Sequence, residues 1–229
     1  GGSVIDSSPM YGRSEAVVGK VLTAMTARQS VFLATKVWTQ GREAGIAQME
    51  ASLDRMAAGG VMDLMQIHNL VDWRTHLATL RAWKGEGRVR HIGITHYTTS
   101  TLDELATILE RERIDAVQTV YSIGVRAAEK RLLAVAKERG VAVICNLPFG
   151  SGGQFAKVRG KPLPEWAAEL GIASWGQYFL KYLIGHPAVT CVIPGTSQAQ
   201  HMTDNCGAGV GVMPNEAQRQ KMAAYWDAL

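Results

Sequence analysis

Four polar side chains in the first third of the sequence have the chemical types needed to protonate an oxygen atom. Asp6 and Tyr11 stand five residues apart in the segment IDSSPMYG, Lys36 ends the apolar run VFLATK, and His68 ends the run MDLMQIH. An unperturbed tyrosine has a pKa of about 10, which makes it a poor proton donor near neutral pH. An adjacent ammonium group stabilises the phenolate, so we expect Lys36 to lower the pKa of Tyr11. Asp6 would hold Lys36 in position, and His68 would hydrogen-bond a substrate oxygen.

This acid has no accompanying nucleophile in the sequence. No serine or cysteine stands with a base beside it, and no cluster of histidine, cysteine and carboxylate residues has metal-ligand spacing, so we predict no metal site. A proton donor without a nucleophile is typical of a reaction in which a substrate oxygen is protonated while a bound donor transfers a hydride to a carbon atom. A lyase or hydrolase is the alternative of another class, and cleavage of a substrate without cofactor would favour it.

The elements that must position these side chains are short apolar runs alternating with helical patterns. Strands are predicted over residues 3–7, 31–37, 62–67, 89–95, 116–119, 141–146 and 189–194. Helices are predicted over residues 14–26, 43–57, 74–85, 100–111, 127–139, 174–185, 198–206 and 214–227. The segment 147–165 is rich in glycine and proline and is predicted to be a functional loop. Strands that are apolar throughout and alternate with helices indicate a parallel sheet covered by helices.

This alternation predicts an α/β fold of the TIM type. It would be a (β/α)8 barrel that is incomplete, with seven visible strands, in one domain over residues 1–229. A doubly wound open sheet is the competing architecture, although IDSSPMYG is not the glycine-rich phosphate turn that follows its first strand. In a barrel of this type, the active-site residues lie at the carboxyl ends of the strands. Asp6, Lys36 and His68 are predicted to lie at such strand ends. We therefore expect them to lie close together, with Tyr11 in the loop beyond the first strand.

Composition narrows the class of partner. The net charge of +4 comes from 24 basic and 20 acidic residues without a basic run, so we expect no nucleic-acid partner. No apolar stretch has membrane-spanning length, and we expect no membrane partner. The three cysteines form no even framework and no CxxC pair, which favours a reducing, cytoplasmic location. Whether a leader peptide has been removed stays open, because the sequence starts with Gly1 and not with methionine.

Several segments, in order and spacing, resemble the aldo-keto reductase family from Val4 to about Ala208. They include IDSSPMYGRSEAVVGKVL, FLATKVW, GRVRHIGITHY, VQTVYSI, ERGVAVICNLPFGSG and HPAVTCVIPGTSQAQHMTDN. The resemblance implies a (β/α)8 barrel that reduces an aldehyde or ketone with a nicotinamide cofactor, usually NADPH. It also implies that Tyr11 is the proton donor, that Lys36 and Asp6 tune it, and that His68 orients the carbonyl of a small substrate.

The resemblance further implies a set of cofactor-binding residues: Thr95, His96, Gln118, Asn146, Leu147, Phe149, Gly150, Gly195, Thr196, Ser197, His201 and Asn205. Asn146 stands where many members have a tyrosine that stacks on the nicotinamide. Many NADPH-preferring members have a lysine at the Gly195 position and an arginine near His201, and both cations are missing here. NADPH is therefore favoured over NADH only modestly, through hydrogen bonds from Thr196 and Ser197.

The main departure from the family is at the front of the chain. Members begin with a strand and a helix before the equivalent of Val4, and this sequence has neither. Three explanations stay open: a fragment or truncated product, a barrel that closes on seven strands, or a partner that covers the opening, including self-association across the open edge. A non-catalytic nicotinamide-nucleotide-binding protein of the same fold, such as a regulatory subunit, is the alternative function.

Overall fold

Parallel strands form the frame of the molecule in a computed structural model that describes residues 2–25 and 31–229. The strands are β1 (Val4–Asp6), β2 (Phe32–Val37), β3 (Met62–His68), β4 (Val89–Thr95), β5 (Ala116–Val120), β6 (Ala142–Asn146) and β7 (Val189–Val192). They lie where the apolar runs predict them. β3 and β5 are buried along their whole length, as expected for strands of a parallel sheet that is covered on both faces.

The helices between the strands also follow the predicted order. They are α1 (Ser14–Met25), α2 (Arg42–Arg55), α3 (Trp73–Gly85), α4 (Leu102–Arg111), α5 (Leu132–Glu138), α6 (Gly153–Lys157), α7 (Trp175–Ile184), α8 (Ala199–Gly207) and α9 (Glu216–Ala228). Position 26, the last of the first predicted helix, lies outside the described residues. Within those residues no helix has the length and apolarity needed to cross a bilayer.

One predicted helix, over residues 127–139, is wrong as a single element. Residues Ala127–Lys130 form a 3-10 turn, and α5 begins only after Arg131, whose backbone is non-helical (φ −147°, ψ −54°). The guanidinium of Arg131 donates to both carboxylate oxygens of Glu110 on α4 at 2.9 Å. The interruption of the predicted helix at Arg131 therefore coincides with a contact between Arg131 and α4. The predicted loop 147–165 likewise contains the short helix α6.

The sheet joins its strands in chain order, from β1 to β7. Val4 pairs with Phe32 in the parallel β1–β2 ladder, and Lys36 pairs with Gln66 in the parallel β2–β3 ladder. A doubly wound sheet would reverse its strand order near the middle, and the observed sequential order does not. β1 and β7 are the end strands of this sheet within the described residues, and self-association through them stays a prediction.

The chain divides into two compact units. The amino-terminal unit comprises Ser3–His96 and Glu112–Val117, and its core contains buried aliphatic side chains such as Leu33, Met65 and Leu80. The carboxy-terminal unit comprises Tyr97–Arg111 and Gln118–Leu229 with Gly2, and its core is built around buried aromatic rings. The single domain predicted over residues 1–229 stays a prediction.

Gly19 on α1 lies against the end of α2, and we expect Gly19→Ala to destabilise the chain. A Cβ at position 19 would lie 2.0 Å from the carbonyl oxygen of Arg55, so the helices would have to separate. The cost of such overpacking, about 1–3 kcal/mol, exceeds the roughly 1 kcal/mol gain in helix propensity. Urea denaturation measures the difference in the free energy of unfolding.

Gly85→Ala on α3 is the matched control, since a Cβ there meets no atom within 4 Å. We expect this variant to be as stable as the wild type or slightly more stable. A Gly19→Ala protein with wild-type stability would contradict the close approach of the two helices.

Candidate active site

A tight turn at the end of β1 positions Tyr11. The N–H of Tyr11 donates to the carbonyl of Ser8 at 3.0 Å, and Pro9 occupies the second position of this β-turn, where its fixed φ is favourable. Gly12 has a φ of 59°, which a glycine adopts without strain, and the Ser14 N–H donates to the Tyr11 carbonyl at 3.1 Å as α1 begins. Both backbone groups of Tyr11 are therefore held within the segment SPMYGRS, residues 8–14.

The register of the sheet places the other candidate site residues on one face. Lys36 pairs with Gln66 across β2 and β3, and Asp6 pairs with Ala34, two residues before Lys36. His68 follows Gln66 by two residues and pairs with Thr95 of β4. Because successive side chains of a strand alternate between faces, these residues share a face.

The shared face holds a buried ion pair. The Nζ atom of Lys36 lies 2.6 Å from Oδ2 of Asp6 and also donates to the carbonyl of Ser7 at 2.8 Å. The Lys36 side chain is 0% exposed and that of Asp6 is 5% exposed. Gln66 donates from Nε2 to Oδ1 of Asp6 at 2.8 Å, so both carboxylate oxygens accept a hydrogen bond. Burial lowers the pKa of Lys36, and the carboxylate of Asp6 opposes that shift.

Tyr11 lies over this ion pair, with its ring centroid 5.0 Å from Nζ of Lys36. The residue is 46% exposed. Burial of the phenol, and then the charge of Asp6, raise the pKa of Tyr11 to about 12. The net shift is thus upward, opposite in direction to the lowering that we expected from Lys36. Asp6 lies 2.6 Å from Nζ, so its negative charge weakens the effect of the ammonium group on the phenol without abolishing it.

His68 stands beside the phenol as a neutral ring. The two ring centroids are 5.9 Å apart in an edge-to-face arrangement, and Nδ1 of His68 lies 3.1 Å from Oγ of Ser8. Burial, and then the positive charges of Lys36 and His96, lower the pKa of His68 to about 4. A neutral imidazole can donate one hydrogen bond to a substrate oxygen. The half-exposed indole of Trp38 lies 6.4 Å from the His68 ring, between centroids.

The depressed pKa of His68 predicts a loss of stability on mild acidification. Between about pH 6.5 and 4 the unfolded chain binds a proton at His68 that the folded chain excludes, so the free energy of unfolding falls as pH is lowered. The slope from this group is at most about 1.4 kcal/mol per pH unit, and it vanishes below about pH 4.

Urea denaturation of the wild type and of His68→Gln across this range isolates the contribution of His68, because the other titrating groups are common to both proteins. We expect the stability advantage of the wild type over the variant to shrink steadily from pH 7 to pH 4. Parallel pH curves for the two proteins would show that His68 titrates near its ordinary value.

A second polar layer supports Lys36 from the helix side of the sheet. The hydroxyl of Thr35 donates to Oε1 of Glu15 at 2.6 Å, and Arg55 donates to Oε2 at 2.7 Å. Glu15 is buried and its charge favours the ammonium form of Lys36. Reasoning from the sequence missed Glu15, Gln66 and Ser8. A polar residue inside the apolar strand MDLMQIH, two before His68, was the available signal for Gln66.

The remaining cofactor-binding residues predicted from the sequence lie in the carboxy-terminal unit. Gln118 is buried within β5 and Asn146 ends β6. Leu147 and Gly150 have φ values of 49° and 55° in the loop after β6, where the Phe149 ring packs against the Phe155 ring with centroids 4.9 Å apart. The others are divided between the exposed loop after β7 and helix α8: Gly195, Thr196, Ser197, His201 and Asn205.

Thr95 and His96 are the members of the predicted cofactor set that lie in the amino-terminal unit. Thr95 is buried at the end of β4, and the charge of His96 acts on His68. The structure thus brings together Asp6, Tyr11, Lys36, His68 and Thr95 in one cluster. Within the described residues no group of three or more histidine, cysteine or carboxylate side chains is arranged to hold a metal ion.

Comparison with known proteins assigns the chain to a family. Residues 1–220 match the model of the aldo/keto reductase family. A methylglyoxal reductase of Escherichia coli is 27% identical over 211 residues, a match that covers 89% of this chain and 72% of that protein.

Solved structures agree with this match. The holo form of an aldo-keto reductase from Bacillus halodurans has a TM-score of 0.74 and 25% identity, covering 98% of this chain and 81% of its own. An aldo/keto reductase from Klebsiella pneumoniae, solved with NADP and acetate, has a TM-score of 0.80 and 22% identity, covering 98% of this chain and 80% of its own. These likenesses confirm the predicted fold class, an incomplete TIM-type barrel with seven strands in the described residues. The chain belongs to the aldo/keto reductase family.

Proposed function

We propose that the chain is an NADPH-dependent reductase that converts an aldehyde or ketone to an alcohol, with Tyr11 as proton donor. The observation that carries the proposal is the clustering of a half-exposed phenol, a buried lysine–carboxylate pair and a neutral imidazole at neighbouring strand ends. These groups serve a reaction in which negative charge develops on an oxygen atom.

Each residue of the cluster has a role in this chemistry. Tyr11 keeps its proton at neutral pH because its pKa is about 12, and it hands that proton to the carbonyl oxygen as the alkoxide develops, since an alkoxide is a stronger base than a phenolate. Lys36, 5.0 Å from the ring centroid, stabilises the phenolate left behind. His68 donates a hydrogen bond that orients the carbonyl group. When bound, the nicotinamide supplies a hydride to the carbonyl carbon.

The residues proposed to bind the dinucleotide can hold a phosphate group by hydrogen bonds, but they offer no lysine or arginine for an ion pair with it. Thr196 and Ser197 are exposed just before α8, whose first-turn N–H groups favour an anion. Residues 193–210 contain no lysine or arginine. NADPH remains the proposed cofactor, with a preference over NADH smaller than an arginine contact would provide. The three cysteines are free, which is in keeping with the proposed cytoplasmic location.

The test separates binding from turnover. NADPH and NADH are titrated against the chain by fluorescence, and each is then supplied with methylglyoxal, chosen because of the E. coli relative's name, and with a simple aromatic aldehyde. We expect NADPH to bind and to be oxidised only when an aldehyde is present. Binding without turnover would instead favour the non-catalytic nucleotide-binding protein, and no binding of either nucleotide would refute both functions.

A further inference from the structure

The hydroxyl of Ser8 is a buried group that the proposed reaction does not yet use. Ser8 has no exposed surface and lies in the turn between β1 and Tyr11. Its Oγ is 3.1 Å from Nδ1 of His68 and 3.3 Å from the backbone nitrogen of Met10. The same residue therefore contacts the imidazole through its side chain and Tyr11 through its carbonyl.

The direction of these hydrogen bonds follows from the donors available. The Met10 N–H can only donate, so Oγ of Ser8 accepts from it. The hydroxyl hydrogen of Ser8 then needs an acceptor, and Nδ1 of His68 is the one in contact with it among the described residues. If Nδ1 carried the ring hydrogen, the buried hydroxyl hydrogen would have no acceptor, which is unfavourable away from water.

This arrangement defines the state of the opposite ring nitrogen. A neutral imidazole has one protonated nitrogen, so an accepting Nδ1 leaves the hydrogen on Nε2. The depressed pKa of His68 keeps the ring neutral at pH 7. Within the described part of the chain no group is hydrogen-bonded to Nε2 of His68, and its N–H is left to serve a bound molecule.

We infer that Ser8 is a positioning residue that holds His68 in the Nε2–H tautomer, so that the ring presents a donor to the carbonyl oxygen of the substrate. The identity of that oxygen rests on the proposed function, whereas the tautomer does not. In the other tautomer Nε2 would present a lone pair to the carbonyl oxygen, and the two acceptors would repel each other.

The test reads the tautomer directly. Long-range ¹H–¹⁵N spectra of the full chain at pH 7, with the His68 signals assigned by their loss in His68→Gln, distinguish a protonated from an unprotonated ring nitrogen. We expect a single Nε2–H tautomer in the wild type and a mixture of both tautomers in Ser8→Ala. Ser7→Ala is the matched control, because the neighbouring buried Ser7 hydroxyl donates to Ser14 and not to His68. Its His68 signals should match those of the wild type.

An Nδ1–H tautomer in the wild type would overturn the inference even if Ser8→Ala failed to fold, as would an unchanged tautomer in a folded Ser8→Ala protein. If the chain is active, Ser8→Ala should lower kcat/KM for the carbonyl substrate by about 2- to 10-fold, the worth of one hydrogen bond, with NADPH affinity unchanged. The spectra need neither cofactor nor turnover. An inactive chain with the Nε2–H tautomer would therefore refute the proposed function and leave the role of Ser8 standing.

Discussion

Replacing Tyr11 with phenylalanine is expected to lower kcat for carbonyl reduction by about 10²- to 10⁴-fold, the range for loss of a general acid. The ring and its packing against His68 remain, so the loss reports on the phenolic proton alone. The affinity for NADPH should change little, because the cofactor-binding residues proposed above do not include Tyr11. Steady-state kinetics and a nucleotide titration on the same preparation measure the two quantities.

Tyr225→Phe is the matched control for this substitution. Tyr225 lies on α9 and stacks against the Trp175 ring, remote in sequence from Tyr11 and Lys36. We expect its kinetics to match those of the wild type. A Tyr11→Phe protein that retains the wild-type kcat would remove Tyr11 from the proton-transfer step and the proposed mechanism with it.

Breaking the buried pair of Lys36 and Asp6 is expected to have the largest effect on stability. Lys36→Met removes the ammonium partner of the buried Asp6 carboxylate, and Asp6→Asn removes the carboxylate counter-ion of the buried ammonium group. Removing one partner of such a pair costs about 3–5 kcal/mol. Replacing both at once removes the unpaired charge, so the double variant should be far closer to the wild type in its free energy of unfolding.

The same three variants of Lys36 and Asp6 also distinguish an effect on stability from an effect on catalysis. Both single variants and the double variant should be poor reductases, because each lacks the cation or the carboxylate that positions it, even where folding is restored. Lys84→Met is the matched control, since Lys84 pairs with Asp115 at the surface and its loss should cost about 1 kcal/mol or less. Additive losses in the Lys36–Asp6 cycle would mean that the two groups act independently.

The charge state of the site shows where reasoning from residue types fell short. An ammonium beside a phenol predicts an acidic phenol, yet the pKa of Tyr11 is raised. The direction depends on how deeply the phenol is buried and on where the Asp6 carboxylate lies relative to both partners. These are three-dimensional quantities, and a spacing of five residues along the chain does not specify them.

Local signals were sufficient for the strands that carry Asp6, Lys36 and His68 and for the loop that carries Tyr11. Proline, glycine and β-branched residues act within a few positions, so their patterns predict elements directly. The interruption before α5 was not predictable in the same way. There, a non-helical backbone at Arg131 coincides with a bidentate contact to Glu110, far away in sequence.

By itself, the sequence determined the order of the strands and of most helices and the residue types at the strand ends, because periodicity and residue chemistry are local properties. Only the tertiary structure decided that Gln66 donates a hydrogen bond to Asp6, that the ring of His68 is neutral, and that Ser8 contacts its Nδ1. Hydrogen-bond partners and burial depend on the register between strands and on distances between residues up to 60 positions apart, and no local pattern carries that information.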